Sequence, residues 1–326
     1  MNLKNKILIT IMFALGTILW SCDSLINDKL EDCPQGVYVK FYSMTPCEND
    51  SSFIGEAASV WVFAFDENNK LAAAVSEANV TLSRDYELLV PVSNGNYTFV
   101  AWAGINDNFV KQRFVIGEMT KKDVMITLNS SQGMAAVLSA ANQLWQGESP
   151  MVHLPNPAEV GTLYKHTAIN MKELTNRINV LIEFDKLTMK EYTPENLKVE
   201  ISSANGTLNV DGSMPYNTPV LTYPSLKTEF TDHSGSWSFS MLDLVTGHHN
   251  NLKVTYQTKD KVETVFDGDL IAALLLKAVA GGVNMNCEND FTIKFVIKDY
   301  CVECWTHFSC MIYVNNWMVH SYDTDL

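Results

Sequence analysis

Cys301, Cys304, His307 and Cys310 recur at every third position, and thiolates with an imidazole are zinc-ligand types. Two considerations weigh against a metal. A spacing of three along an extended strand sends alternate side chains to opposite faces. The N-terminus indicates export, and thiols of exported chains oxidise. The expectation is therefore disulfides among Cys287, Cys301, Cys304 and Cys310, with no metal and no other cofactor. Cys33 and Cys47 are the expected second pairing, because the short loop between them would clasp an early strand at about 3 kcal/mol of denatured-state entropy. Setting Cys22 apart leaves six of the seven cysteines, an even number. Cys301 and Cys304 lack the βαβ surroundings of a redox motif.

The remaining candidates for chemistry fall away. Gly147–Met151 lacks the closing glycine of a nucleophile elbow. Asp66–Lys70 begins like a calcium loop, but it has no glycine at the sixth position and no glutamate at the twelfth, so it reads as a hairpin turn. His248 and His249 stand together between strands with no third ligand nearby, which predicts a solvated turn. No glycine-rich phosphate loop or zinc-peptidase motif occurs, and without a nucleophile or acid/base constellation the chain does not read as an enzyme. A surface glycan-binding lipoprotein is the alternative, with Trp102, Trp145, Trp237 or Trp305 as stacking platform. Their apolar strand surroundings predict core or loop positions instead.

Cys22 has a different chemistry. Asn2–Lys6 is a short basic region, and Ile7–Trp20 is apolar and too short to be read as a spanning helix, so residues 1–21 read as a secretory signal. Leu19–Cys22 resembles the lipobox of bacterial lipoproteins, which makes Cys22 the expected lipid attachment. Residues 22–32 are polar and acid-rich, a tether between lipid and first domain. Asp269–Ala280 is the longest later apolar run. As a helix it measures about 18 Å against about 30 Å of bilayer core, so it is expected to pack inside the protein, capped by Asp269 and ended by Gly281.

The elements that must position these residues are strands. The 326-residue length suggests two domains, and a 47% hydrophobic fraction supplies two cores. A net charge of −14 with only three arginines (Arg84, Arg113, Arg177) excludes a nucleic-acid partner, which needs a basic face. From Val37 onward the apolar period is two: Val37–Tyr42, Trp61–Phe65, Tyr97–Ala103, Ile178–Phe184, Leu197–Ile201, Leu252–Tyr256 and Phe291–Ile297. Turns are predicted at Asp66–Lys70, Ser93–Asn96, Asn205–Gly206, Asp211–Gly212, Thr246–Gly247 and Asp267–Gly268, and an exposed proline-rich loop at Ser149–Pro157. With no βαβ alternation, the fold class is all-β, two tandem sandwiches. The domain boundary is placed at Leu174–Thr175, giving a first domain 33–174 and a second 175–326.

The strings themselves resemble a family. Asp32–Phe41, Trp61–Lys70, Gly95–Gly104, Thr175–Phe184 and the closing block Ile312–Val319 follow, in order behind a lipobox, the pattern of the FimB-like fimbrillin anchor lipoproteins of type V pili in Bacteroidetes. The resemblance implies transthyretin-like sandwiches, a structural job without catalysis, and a lipid held in the outer membrane on the surface side. It also implies pilus stalk subunits as partners, joined by strand exchange. Stalk subunits of this system lose their first strand to a protease that cuts after arginine. No arginine precedes Arg84 here, as an uncut anchor requires. Met311–His320 is then the expected contact with the next subunit, with Ile312, Val314, Trp317 and Val319 as its apolar teeth at strand spacing.

Overall fold

The computed structural model describes residues 33–139, 141–186, 192–275, 283–298, 309–315 and 317–322. The predicted signal, Cys22, the tether, Cys301, Cys304, Trp305 and His307 lie outside these residues.

In chain order the strands before Leu174 are β1 (Gln35–Tyr42), β2 (Gly55–Asp66), β3 (Leu71–Leu82), β4 (Leu88–Val90), β5 (Gly95–Ala103), β6 (Met125–Thr127), β7 (Ser130–Ser131), β8 (Met134–Ala135), β9 (Trp145–Glu148), β10 (Val152–Leu154), β11 (Leu163–Asn170) and β12 (Lys172–Glu173). After it come β13 (Thr175–Phe184), β14 (Leu197–Ser203), β15 (Thr207–Asn209), β16 (Leu221–Tyr223), β17 (Lys227–Phe230), β18 (Ser234–Leu242), β19 (Asn251–Gln257), β20 (Val262–Asp269), β21 (Asp290–Lys298), β22 (Ser309–Val314) and β23 (Trp317–Tyr322). Among the described residues two short α-helices interrupt them, α1 (Pro157–Val160) and α2 (Leu270–Leu275), with one 3-10 turn at Pro194–Asn196.

The alternation that predicts strands also decides their faces. In β1, Val37, Val39 and Phe41 are buried while Lys40 is exposed; in β21, Phe291, Ile293, Phe295 and Ile297 are buried and Thr292, Lys294 and Val296 less so. The sheet β11-β1-β4 packs on the sheet β12-β9-β5-β2-β3, in which β10 also pairs with β5. Between them lies a core of Val37, Val39, Phe41, Val60, Val62, Ala64, Phe99, Ala101 and Ile169. The second sandwich sets β17-β18-β13-β21-β22-β23 against β20-β19-β14-β16-β8-β7 around Ile178, Val180, Phe239, Leu252, Val254, Phe295 and Ile312.

The chain changes sheets at Leu174: β12 belongs to the first set and β13, after one residue, to the second. The segment between β5 and β9 crosses the other way. Its β6 pairs with β15 and its β8 with β16, so residues 125–135 extend the second set. The second core consequently continues through Phe109, Ile126 and Leu128 to Phe63, Phe65 and Trp102, on the far face of the β2–β5 sheet.

Most predicted turns hold for the reason given. The β2–β3 hairpin closes with Asp66 Oδ1 accepting the amides of Asn68 and Lys70 at 2.8 and 2.9 Å, while Asn69 takes φ 59°. Two expectations are corrected. Asp267–Gly268 is not a turn but the end of β20; the turn lies earlier, where Thr258 donates its amide to Lys261 at 2.9 Å. Ser149–Pro157 is not simply a loop: Val152–Leu154 adds β10 to the edge of β5, and Pro157 opens α1 behind an Asn156 cap. Asp269 caps α2 as expected, its carboxylate accepting the Ala272 amide at 2.6 Å, and Leu270, Ile271, Ala273 and Leu274 are buried. The predicted continuation to Ala280 and Gly281 lies outside the described residues.

Candidate functional site

The first strand is held on both sides. β1 pairs in parallel with β11 from Gln35↔Leu163 to Tyr42↔Asn170, and antiparallel with β4 at Val37↔Val90. Val37, Val39 and Phe41 are 0%, 0% and 2% exposed. Each such side chain is worth about 1.5–3 kcal/mol against exposure. Two residues that pattern reasoning passed over secure the strand's start. Gln35 is buried and uses both ends of its amide: Nε2 donates to the carbonyls of Pro155 and Gly161 at 3.2 and 3.3 Å, and Oε1 accepts the Asn94 amide at 3.1 Å. Gly36 lets the strand approach β4, because a Cβ there would stand 2.8 Å from Leu89 Cδ1 and 2.9 Å from the Val90 carbonyl oxygen. On the outer face Glu87 reaches Lys40 at 3.3 Å and His166 at 3.1 Å. Partial burial works against ionisation of Glu87, but those two partners hold its carboxyl below the ordinary range.

Beyond β1 the chain reaches a seam between the two sandwiches. Cys47, in the loop after β1, is bonded to Cys287, just before β21, across a sequence separation of 240 and a Cα–Cα distance of 5.9 Å. The expected Cys33–Cys47 pairing is thereby overturned, and so is the expectation that Cys287 pairs with Cys301, Cys304 or Cys310. Cys33 is buried at the entrance to β1, whereas the loop carrying Cys47 turns toward the second sandwich. Short sequence spacing measures loop entropy, not which segment lies across the seam. Asn284 Nδ2 donates to Cys47 Sγ at 3.3 Å.

Charge completes the seam. Arg177, at the start of β13, forks between Glu173 of β12 and Asp290 of β21, and Asn289 donates to Glu173 at 3.0 Å. Asp290 first, then Glu173, raise the pKa of the guanidinium, so it stays charged. Lys172 meets Asp243 at 3.0 Å, and Asn176 donates to the same carboxylate at 3.2 Å. A cleft of about 380 Å³ between these groups is lined by Trp145, Glu173, Arg177, Cys287, Glu288 and Asp290.

The other sequence candidates are structural. Trp102 is fully buried and donates its indole N–H to the Val210 carbonyl at 2.8 Å, tying β5 to the crossing segment's partner turn. Trp237 is buried with Phe230 edge-on against it, so neither ring offers a sugar a platform. Ser149 Oγ accepts the Phe99 amide and donates to Pro150, a structural hydroxyl rather than a nucleophile. His248 corrects the solvated-turn expectation. It is buried and stacked with Tyr216, and its carbonyl accepts the Ala204 amide at 2.8 Å. Among the described residues no group of three His, Cys, Asp or Glu is placed to hold a metal ion.

The C-terminal residues form a hairpin on the second sandwich. β22 lies between β21 and β23, and β23 is the outermost strand of its sheet. Ile312 and Val314 are 0% and 1% exposed within the second core, so they are core side chains and not teeth offered to a neighbour. Trp317 and Val319 lie on β23. Cys310 lies on β22, in register with Ile297. Asn315 sets the turn at φ 45°, with its amide and side chain both bonded to the Thr292 backbone.

Two β-sandwiches, a first strand held between two neighbours and a covalently stapled seam define an all-β protein of two joined sandwiches. The chain belongs to the family of fimbrillin-A associated anchor proteins Mfa1 and Mfa2, whose model matches residues 30–323. It is 34% identical over 316 residues to the minor fimbrium anchoring subunit Mfa2 of Porphyromonas gingivalis, covering 97% of this chain and 94% of that protein. The solved structure of that fimbrial anchor protein superposes with a TM-score of 0.77 at 33% identity, over 89% of this chain and 100% of the other. A solved Bacteroides thetaiotaomicron protein at 22% identity and a TM-score of 0.67, over 90% and 99% of the two chains, shares the fold.

Proposed function

We propose that this chain is the lipid-held base of a fimbrium: Cys22 is acylated in the outer membrane, residues 33–174 and 175–326 are the two domains, the first lending its residues 125–135 to the second, and the stalk joins by strand exchange at the second. The observation that carries the reading is the first strand. β1 is paired with β11 along its whole length and with β4 over Val37, Tyr38 and Val39, and its apolar face fills the first core, which supports a strand that stays in its own sheet. A subunit that keeps its first strand also keeps whatever precedes it, which is the requirement for a lipid anchor at Cys22. One acyl chain binds only marginally at about 0.8 kcal/mol per buried CH₂, so lasting attachment takes several. The outer position of β23, carrying Trp317 and Val319, supports that strand as the contact with a stalk subunit, since an added strand gains main-chain hydrogen bonds along a sheet edge. The reading includes no catalytic step, cofactor or nucleic acid.

Cell fractionation of a Cys22→Ala variant, with pili followed by microscopy, tests it. The expected result is folded protein that leaks into the medium and takes the pili with it. Full membrane retention of a processed variant, with pili still attached, overturns the anchor.

A further inference from the structure

The disulfide at the seam changes how the chain is connected. Cys47 follows β1 and Cys287 precedes β21, so an unbroken covalent route runs from β1 through the two sulfurs into the middle of the second sandwich's sheet. The intervening residues, a separation of 240, carry β2 to β20 and hang from that route as a closed loop.

We infer that the Cys47–Cys287 bond is a covalent load path, so that tension between the N-terminus and the C-terminal hairpin passes from β1 to β21 and bypasses everything between. Without the bond the same tension crosses the seam at Leu174 and through the crossing segment's β6–β15 and β8–β16 pairs, backed by Arg177 with Glu173 and Asp290 and by Lys172 with Asp243. Lys172 with Asp243 is a partly solvated pair of the individually weak kind, Arg177 with Glu173 is buried and stronger, and none of these contacts is covalent. With the bond, force enters β1 at one end and leaves it at the other. The ladders to β11 and β4 are then not sheared against each other, and the first sandwich stays folded around a taut strand. The loop hides a contour length on the order of 800 Å at about 3.3–3.6 Å per residue. A pilus base that yielded by that length would no longer hold its stalk close to the membrane.

The biological role rests on the anchor reading, but the mechanical claim is measured apart from it. The full chain, with handles on residues 23 and 326, is pulled in single-molecule force spectroscopy with and without a thiol reductant. Oxidised protein is expected to release only the length outside the loop, and reduction to increase that release about fivefold. The double variant Cys47→Ser/Cys287→Ser is expected to behave as reduced protein under both conditions. Equal release in the oxidised and reduced chain overturns the inference, as does a double variant that still shortens on oxidation. On cells, the same variant is expected to hold pili at rest and lose them under shear; wild-type retention under shear overturns the load-bearing role. If deletion of the whole chain leaves pili attached, the anchor reading fails while the pulling result stands.

Discussion

Glu173 of β12 and Arg177 of β13 face each other across the single residue at which the chain changes sheets. The Arg177 side chain is 18% exposed and that of Glu173 is 7% exposed. A carboxylate so far from water needs its partners, and Thr175 and Asn289 supply the remaining hydrogen bonds. The bond pattern joins three strands, β12, β13 and β21, that belong to two different sheets.

Removing the guanidinium should therefore cost more than a surface pair does. Arg177→Ala leaves Glu173 buried with only neutral donors, and a loss of about 2–4 kcal/mol is expected in denaturant unfolding. Glu173→Gln in the same background should recover part of it, because the uncompensated charge is gone. An Arg177→Ala chain as stable as wild type would show that the pair only decorates the seam.

The staple is checked by mass mapping under non-reducing conditions. A peptide linking Cys47 to Cys287 is expected, and one linking Cys33 to Cys47 would refute the connectivity. Because the bond closes so long a loop, Cys47→Ser/Cys287→Ser should lower stability by about 5 kcal/mol if denatured-state entropy is the main term.

Trp102 offers a finer test of the crossing segment. Trp102→Phe keeps most of the buried ring but leaves the Val210 carbonyl with only the longer Gln146 contact at 3.3 Å. The expected cost is about 1–3 kcal/mol. Trp102→Ala should cost about 3–5 kcal/mol, read from urea midpoints at constant slope.

The hairpin predicts two different truncation outcomes. Deleting residues 309–326 removes Ile312 and Val314 from the second core, at about 1.5–3 kcal/mol each, together with the whole outer ladder of β21. That chain is expected to lose its cooperative unfolding transition. Deleting residues 317–326 leaves β22 in place, and the protein should fold but shed its pili. A folded 317–326 deletion with pili at normal density would exclude β23 as the stalk contact.

Acid stability follows from three carboxylates. The Thr120 side chain and amide hold Asp123 below its ordinary range, Asn251 and Lys253 do so for Asp267, and Lys40 and His166 prevail over burial at Glu87. A depressed folded pKa means the folded state binds protons less readily than the unfolded one. The stabilisation is therefore fully present above the unfolded carboxylate range near about 4, and is lost as pH falls through the lower folded values. Melting temperature should be level from neutral pH to about 5 and then decline. A melting temperature that rose on acidification below that point would contradict the assignment.

What the amino-acid order determined by itself is local. The period of two in Val37–Tyr42, Ile178–Phe184 and Phe291–Ile297 is read from neighbouring residues, and the strands form where it appears because a pleated backbone has that period. The Asp66 turn and the Asp269 cap are equally local, each a side chain answering amides a few residues away. The all-β class and two cores follow from those pieces. Tertiary structure decided which distant pieces meet. Any two of the cysteines close a loop that sequence permits, and only the path of the chain after β1 brings Cys47 to Cys287 instead of Cys33. The return of residues 125–135 to the second set of strands, and the burial of Ile312 and Val314 there, are choices of the same kind. Alternation tells which face of a strand is apolar; it carries no label for the sheet that will cover it, because every apolar face gains by burial in much the same way.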